Sequence, residues 1–190
     1  MADAEAGFDR VLEAWARATE FRDKEAQGHS RRCAELTVAL ARSMGVAGDA
    51  LKHMRRGALL HDIGKIAIPD RILLKKGRLT SQQMAEMMKH PVFAKEFIQD
   101  VDILGPAVEI PYSHHERWDG SGYPQGLKGE TIPMAARIFA VVDTWDSLTS
   151  DRPYRPAVGI NEALKFIETQ SGKQFDPAVV TAFVKLMGRK

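Results

Sequence analysis

An all-α bundle is the fold class this sequence predicts, and three observations carry the prediction. Apolar residues recur at three- and four-residue steps along most of the chain, the spacing that gives a helix one apolar face. Glycines and prolines concentrate in two stretches, 63–78 and 119–133, the second holding four glycines and two prolines. No repeat, low-complexity segment or interdomain linker divides the 190 residues, a length that suits one buried core and is too short for two large domains.

The elements follow in order. Phe8, Val11, Leu12, Trp15 and Ala18 mark an amphipathic opening helix, read as an N-terminal segment (residues 1–24) packed on a bundle formed by residues 25–190. Ser30 to Met44 continues as helix, with Gly45 as its stop. A helix from about Asp49 carries Leu51, Met54, Ala58 and Leu59 inward and delivers His61 and Asp62 at its C-terminal end. Residues 63–78 read as a loop. Thr80 or Ser81 caps a helix through Met88, and Pro91 opens another. Pro106 to Glu116 reads as helix entering paired histidines. Residues 119–133 form a turn region with room for at most a small hairpin. Three helices close the chain: Met134 to Leu148, Gly159 to Thr169 and Pro177 to Met187.

Composition excludes several classes. Hydrophobic residues at 44% and charged residues at 27% are ordinary globular values. A formal charge of +2 is too small and dispersed for a nucleic-acid polymer as partner. The basic clusters Arg31-Arg32 and Arg55-Arg56 read as solvated helix faces. A single cysteine, Cys33, excludes an internal disulfide framework, fits a reducing cytoplasm, and lies in an apolar run that buries it. Neither a signal peptide nor a run long enough for membrane insertion is present.

Five of the six histidines fall into one ordered set of short motifs, each with carboxylates nearby. The set runs from Glu25 with Gly28-His29-Ser30, through His61-Asp62-Ile63-Gly64-Lys65 and His90-Pro91, to His114-His115-Glu116 and Asp143. Imidazole and carboxylate are ligands of borderline and hard divalent metals, and no thiolate is on offer. So many ligands exceed what one ion can use, which points to two or three metals and to water activated against phosphate esters. Asp62, beside His61, can bridge neighbouring ions through its two oxygens. His53 lies outside every motif and reads as a packing or surface residue.

From His114 to Pro124 the chain reads His-His-Glu-Arg-Trp-Asp-Gly-Ser-Gly-Tyr-Pro. That segment resembles the signature of the HD-GYP family, a branch of the HD phosphohydrolases. The resemblance extends from about Glu25 to Pro177 in six blocks in family order, including His61 to Asp70, Lys75 to Thr80, Leu127 to Pro133, Leu148 to Pro156 and Gly172 to Pro177. One departure is Ala94, where a glycine is common after His90-Pro91.

The resemblance implies a helical bundle of the HD-domain type that hydrolyses the bacterial second messenger cyclic di-GMP to linear pGpG, GMP or both. It implies metal ligation by Glu25, His29, His61, Asp62, His90, His114, His115 and Asp143. Iron or manganese is the family expectation, while ligand softness also permits zinc, nickel or cobalt. Glu25 is the ligand that allows a third ion; its alternative is an exposed glutamate in a charged segment. Lys65 joins His61 and Asp62 as catalytic, either stabilising phosphoryl charge or protonating the leaving oxygen. Arg152 and Arg155 are expected to hold substrate phosphates. Asp146 is expected to contact a base or orient a ligand, and Tyr123 to bind substrate by stacking on a base, or to shape the pocket or a partner surface. Protein partners at the Gly-Tyr-Pro loop and a homodimer through the opening helix are further expectations. The alternatives are hydrolysis of another cyclic dinucleotide or nucleotide, and a binding module of low activity.

Overall fold

The computed structural model describes residues 2–24, 26–151 and 156–188. Ten α-helices are seen among the described residues: α1 (Ala2–Asp23), α2 (His29–Ser43), α3 (Asp49–Leu59), α4 (Asp70–Leu73), α5 (Ser81–Met87), α6 (His90–Ile98), α7 (Glu109–Ser113), α8 (Met134–Thr149), α9 (Ile160–Thr169) and α10 (Pro177–Met187). Short 3-10 turns cover Ile63–Ala67, Asp102–Val108 and Gly129–Thr131. The all-α expectation holds, with one isolated bridge, Ser171 to Phe175, as the extended pairing among these residues.

Helix α8 is the central element. Ile138, Phe139, Val141 and Val142 on it are fully buried, and it packs against α2, α7, α9 and α10. Phe139, Phe175 and Phe183 are also fully buried, and each contributes about 1.5–3 kcal/mol by leaving water. Leu12 and Ala16 of α1 enter the same apolar cluster as Cys33, Leu40 and Leu60. No described helix is long and apolar enough to cross a membrane.

Four local expectations are corrected. Residues 63–78 are not wholly loop: Ile63–Ala67 winds as a 3-10 turn and Asp70–Leu73 as one turn of helix. Residues 119–133 form no hairpin, because their backbone groups pair elsewhere. Trp118 and Asp119 N–H donate to the carbonyls of Gln174 and Lys173, and Gly129 N–H donates back to Trp118. Arg56 is not solvated; it is 2% exposed, with its guanidinium held by Asp9 (2.8 Å) and Glu5 (3.0 Å) of α1. The stretch before the paired histidines also divides. Pro106 lies inside the 3-10 turn Asp102–Val108, so regular helix is confined to the five residues of α7.

Capping accounts for one boundary directly. Thr80 accepts the Gln83 N–H and the Gln83 side chain accepts the Thr80 N–H, a capping box that starts α5.

Candidate metal centre

The ligand motifs converge because all but Asp143 lie at or beside a helix end, and the bundle brings those ends together against the middle of α8. His29 opens α2, His61 and Asp62 follow α3, and His90 opens α6. His114 and His115 follow α7, while Asp143 lies within α8. Together with Lys65 and Ser147, all of these except His90 line a cavity of about 130 Å³.

Three groups of potential ligands occur among the described residues; one, His29, Cys33 and Asp146, shares His29 with another, and the other two are triads of the expected ligands. His29, His61 and Asp143 form one, His90, His114 and His115 the other; within each, one ligand atom per residue lies within 4.8 Å of the others. Asp62 stands between them. Its Oδ2 is 3.0 Å from His61 Nε2, and its Oδ1 is 3.4 Å from His90 Nε2 and 3.9 Å from His114 Nε2.

Backbone carbonyls aim the imidazoles. His61 Nδ1 donates to Ala58 (2.9 Å), His90 Nδ1 to Met87 (2.8 Å) and His114 Nδ1 to Pro111 (3.0 Å). Each Nε2 is thereby left unprotonated and pointing inward in the neutral tautomer, as a metal ligand requires. His29 uses a carboxylate instead: its Nδ1 donates to Asp146 at 2.7 Å, and its Nε2 is 3.3 Å from Asp143. The donor set therefore fits borderline or hard divalent ions.

Electrostatics divide the cluster. Burial, with the charge of His115, pushes His114 well below its ordinary value. Burial and the neighbouring His90 push His115 down to about 4. Burial also lowers His90, with partial opposition from Asp62. In the other half, burial opposes protonation, yet Asp143 and Asp146 hold His29 well above its usual value and Asp62 raises His61. Burial would raise Asp62, but His61 and Lys65 keep it well below the usual carboxylate range.

Lys65 reaches Asp62 at 2.7 Å and Asp23 at 2.9 Å. Burial would lower its pKa, but the two carboxylates raise it, so the ammonium form is held rather than poised to lose a proton.

The remaining candidates are placed as follows. The Tyr123 ring stacks on His115, with centroids 4.7 Å apart and planes 24° apart. Tyr123 also lines a recess of about 230 Å³ with Arg117, Thr144 and Gln174, and His114, His115 and Asp143 border both this recess and the metal cavity. Asp146 is buried at α8, with its oxygens taken by His29 and by Arg32 Nε (2.7 Å) and Nη2 (2.9 Å). Glu25, Arg152 and Arg155 lie outside the described residues. His53 lies apart, lining a small cavity with Met54 and Ile110.

Several roles near the site were not legible in the sequence. Arg32, read as a solvated cation, ties Asp146 to α2. Glu116 accepts the N–H groups of Gln125 (2.7 Å) and Leu127 (3.0 Å), fastening the glycine-rich loop. Glycine itself permits two close approaches. A Cβ at Gly122 would strike the backbone at Glu116 and Arg117, and one at Gly64 would strike the His90 carbonyl. Glu20 and Asp23 of α1 also reach the site, and only pairing across helices reveals them.

Fold and site together define a class: an all-α bundle that gathers imidazoles and carboxylates from several helices into one cluster. The chain belongs to the HD domain family, whose model matches residues 15–179, and its Gly122-Tyr123-Pro124 stretch resembles the HD-GYP signature. A cyclic di-GMP phosphodiesterase of Thermotoga maritima is 43% identical over 178 residues, 93% of this chain and 48% of that protein. The 3'3'-cGAMP-specific phosphodiesterase 2 of Vibrio cholerae is 37% identical, over 87% of this chain and 32% of that protein. This chain thus spans about half the length of the first relative and a third of the second. Among solved structures, the HD-GYP-type protein Bd1817 of Bdellovibrio bacteriovorus superposes with a TM-score of 0.69 at 19% identity, covering 95% of this chain and 63% of that one.

Proposed function

We propose that this chain is a metal-dependent phosphodiesterase that hydrolyses cyclic di-GMP to linear pGpG, GMP or both, in bacterial second-messenger signalling. The observation that carries the reading is Asp62 standing between two histidine-rich triads, one oxygen toward each. Similarity to a relative named cyclic di-GMP phosphodiesterase supports the substrate.

His29, His61 and Asp143 would hold one ion, His90, His114 and His115 a second, and Asp62 would serve both. When bound, such ions lower the pKa of water toward neutrality and polarise phosphoryl oxygens. Iron or manganese is the expected metal, with zinc, nickel and cobalt as alternatives. Lys65, kept charged by Asp62 and Asp23, offsets negative charge on the phosphoryl oxygens in the transition state; the held proton favours this role over proton donation. Asp146 orients His29 through Nδ1. Tyr123 restrains the His115 ring by stacking on it. Arg152 and Arg155 would bind the substrate phosphates, and Glu25 would allow a third ion to be held, supplying further charge compensation for cleavage of the second bond.

One further reading has an observation behind it. The relative named as specific for 3'3'-cGAMP makes that mixed dinucleotide the competing substrate.

Anaerobic incubation of metal-loaded protein with each dinucleotide, beside Asp62→Ala, tests both. Linear product from cyclic di-GMP, made by the native chain alone, supports the first reading. Preference for the mixed dinucleotide supports the second, and retention of either without turnover leaves a binding module. Replacing Glu25 by Gln should slow turnover of the linear product more than ring opening; equal slowing at unchanged metal content would remove the third ion from the scheme.

A further inference from the structure

Helix α2 begins without a cap of its own. The residue before it, Gly28, has φ 77° and ψ 8° and offers no side chain. The first N–H groups of a helix lack intrahelical partners, and a local Ser, Thr, Asp or Asn normally serves them. Here the service comes from another helix. Glu20, near the end of α1 and 7% exposed, accepts Gly28 N–H through Oε2 (2.9 Å) and Ser30 N–H through Oε1 (2.7 Å). Those two groups flank His29. A carboxylate also suits the positive end of the helix.

Glu20 and Gly28 line a groove of about 530 Å³ between α1 and α2, together with Ala16, Gln27 and Leu59. The same last turn of α1 reaches the opposite wall of the site. Asp23 accepts from Lys65 Nζ at 2.9 Å, and Arg22 donates to the Ile68 carbonyl at 3.0 Å.

We infer that Glu20 is a positioning residue for the metal centre: its carboxylate fixes where α2 starts and so where His29 stands against Asp143 and His61. The inference rests on the reading of His29 as a metal ligand. Glu20 touches neither metal nor substrate and acts through the backbone on either side of His29. Gln is nearly isosteric but presents an amide NH₂ where one of the two oxygens accepts, so it can keep at most one of the two bonds. Asp retains the charge but falls short by one methylene.

The test is a cobalt(II) titration of the metal-free full chain, followed by its visible absorption and by the metal-free melting temperature. Native protein, Glu20→Gln, Glu20→Asp and an exposed α2 control, Glu35→Gln, are compared. The expectation is that one binding phase weakens by about tenfold or more in Glu20→Gln, with an altered band. The other phase and the control stay native, and Glu20→Asp falls between. A folded Glu20→Gln that keeps both phases and an unchanged spectrum would overturn the inference, whatever its melting temperature. Should Glu20→Gln not fold, Glu20→Asp decides by the same measure: native binding refutes and weakened binding supports. Native protein that takes up no cobalt would overturn the metal reading and this inference with it. Native protein that binds cobalt but turns over no dinucleotide would overturn only the proposed substrate; the Glu20 comparison would then still decide this inference.

Discussion

Gly64 lies one residue before Lys65, in the turn Ile63–Ala67, where the backbone passes directly against the start of α6. A Cβ built there meets the His90 carbonyl oxygen and carbon and the Ala94 amide nitrogen, all closer than 3.0 Å. Every one of these atoms is backbone, so no rotamer change relieves the clash and either the turn or α6 must move. Overpacking of this kind costs about 1–3 kcal/mol, and the absence of a yielding side chain puts Gly64→Ala near the upper end. For a chain of this size about 3 kcal/mol lowers the melting temperature by roughly 6–12 °C. The motion also bears on the site. His90 Nε2 is 3.4 Å from Asp62, and a shift of α6 opens that gap. Gly105→Ala is the matched control, since no atom lies within 4 Å of its Cβ position and its φ is not positive. Its stability should change by no more than about 0.5 kcal/mol. Thermal unfolding of the metal-free proteins, followed by circular dichroism, measures both. A Gly64→Ala protein melting within about 2 °C of native would refute the close-approach argument.

Three other outcomes are expected. Asp146→Asn should weaken metal binding at the His29 triad by about 10–100-fold, as read by calorimetric titration, because the Nδ1 partner of a ligand histidine loses its charge. Lys65→Met should lower kcat by about 10²–10³-fold at unchanged metal stoichiometry; loss of metal in step with activity would make Lys65 structural instead. Burial pushes the Cys33 thiol up to about 12. At pH 8 only about one thiol in ten thousand is then ionised, so a disulfide reagent should label Cys33 only after unfolding, and fast labelling of native protein would contradict its burial.

What was legible in the sequence was whatever depends on local periodicity or on side-chain type. The closing helix, Pro177 to Met187, has the predicted bounds, and α8 differs at its end by one residue, because apolar spacing and a proline start are local signals. His29, His61, Asp62, His90, His114, His115 and Asp143 could be collected for the same reason: ligand chemistry belongs to residue type. What could not be read depends on pairing across the bundle. Arg32 and Arg56 look like surface cations in sequence, and only the arrival of Asp146, Asp9 and Glu5 from other helices makes them structural. Glu20 is hidden for a like reason, since a helix cap is sought within a few residues of the helix start and this one comes from α1. The missing hairpin at 119–133 follows the same logic. Its glycines signal a turn, but the choice between pairing with itself and pairing with residues 173–174 is tertiary.

The two triads are chemically unequal, and the inequality follows from which helices supply them. His29, His61 and Asp143 come with a carboxylate inside the triad and a second, Asp146, behind His29. His90, His114 and His115 are all imidazole, their outer nitrogens on carbonyls where these are seen, and the carboxylate near them is Asp62. In the absence of metal the two halves therefore answer burial differently. Nearby carboxylates raise the histidines of the first above their ordinary values, whereas burial lowers those of the second, His115 to about 4. An ion held by the first half would have a carboxylate inside its triad; one held by the second would have imidazoles alone and would depend on Asp62 for compensating charge. Asp62 is consequently the residue on which both halves depend, and Lys65 competes for it at 2.7 Å. Asp23 gives Lys65 a second carboxylate at α1, so its ammonium would keep a partner beside the cavity were Asp62 to hold metal.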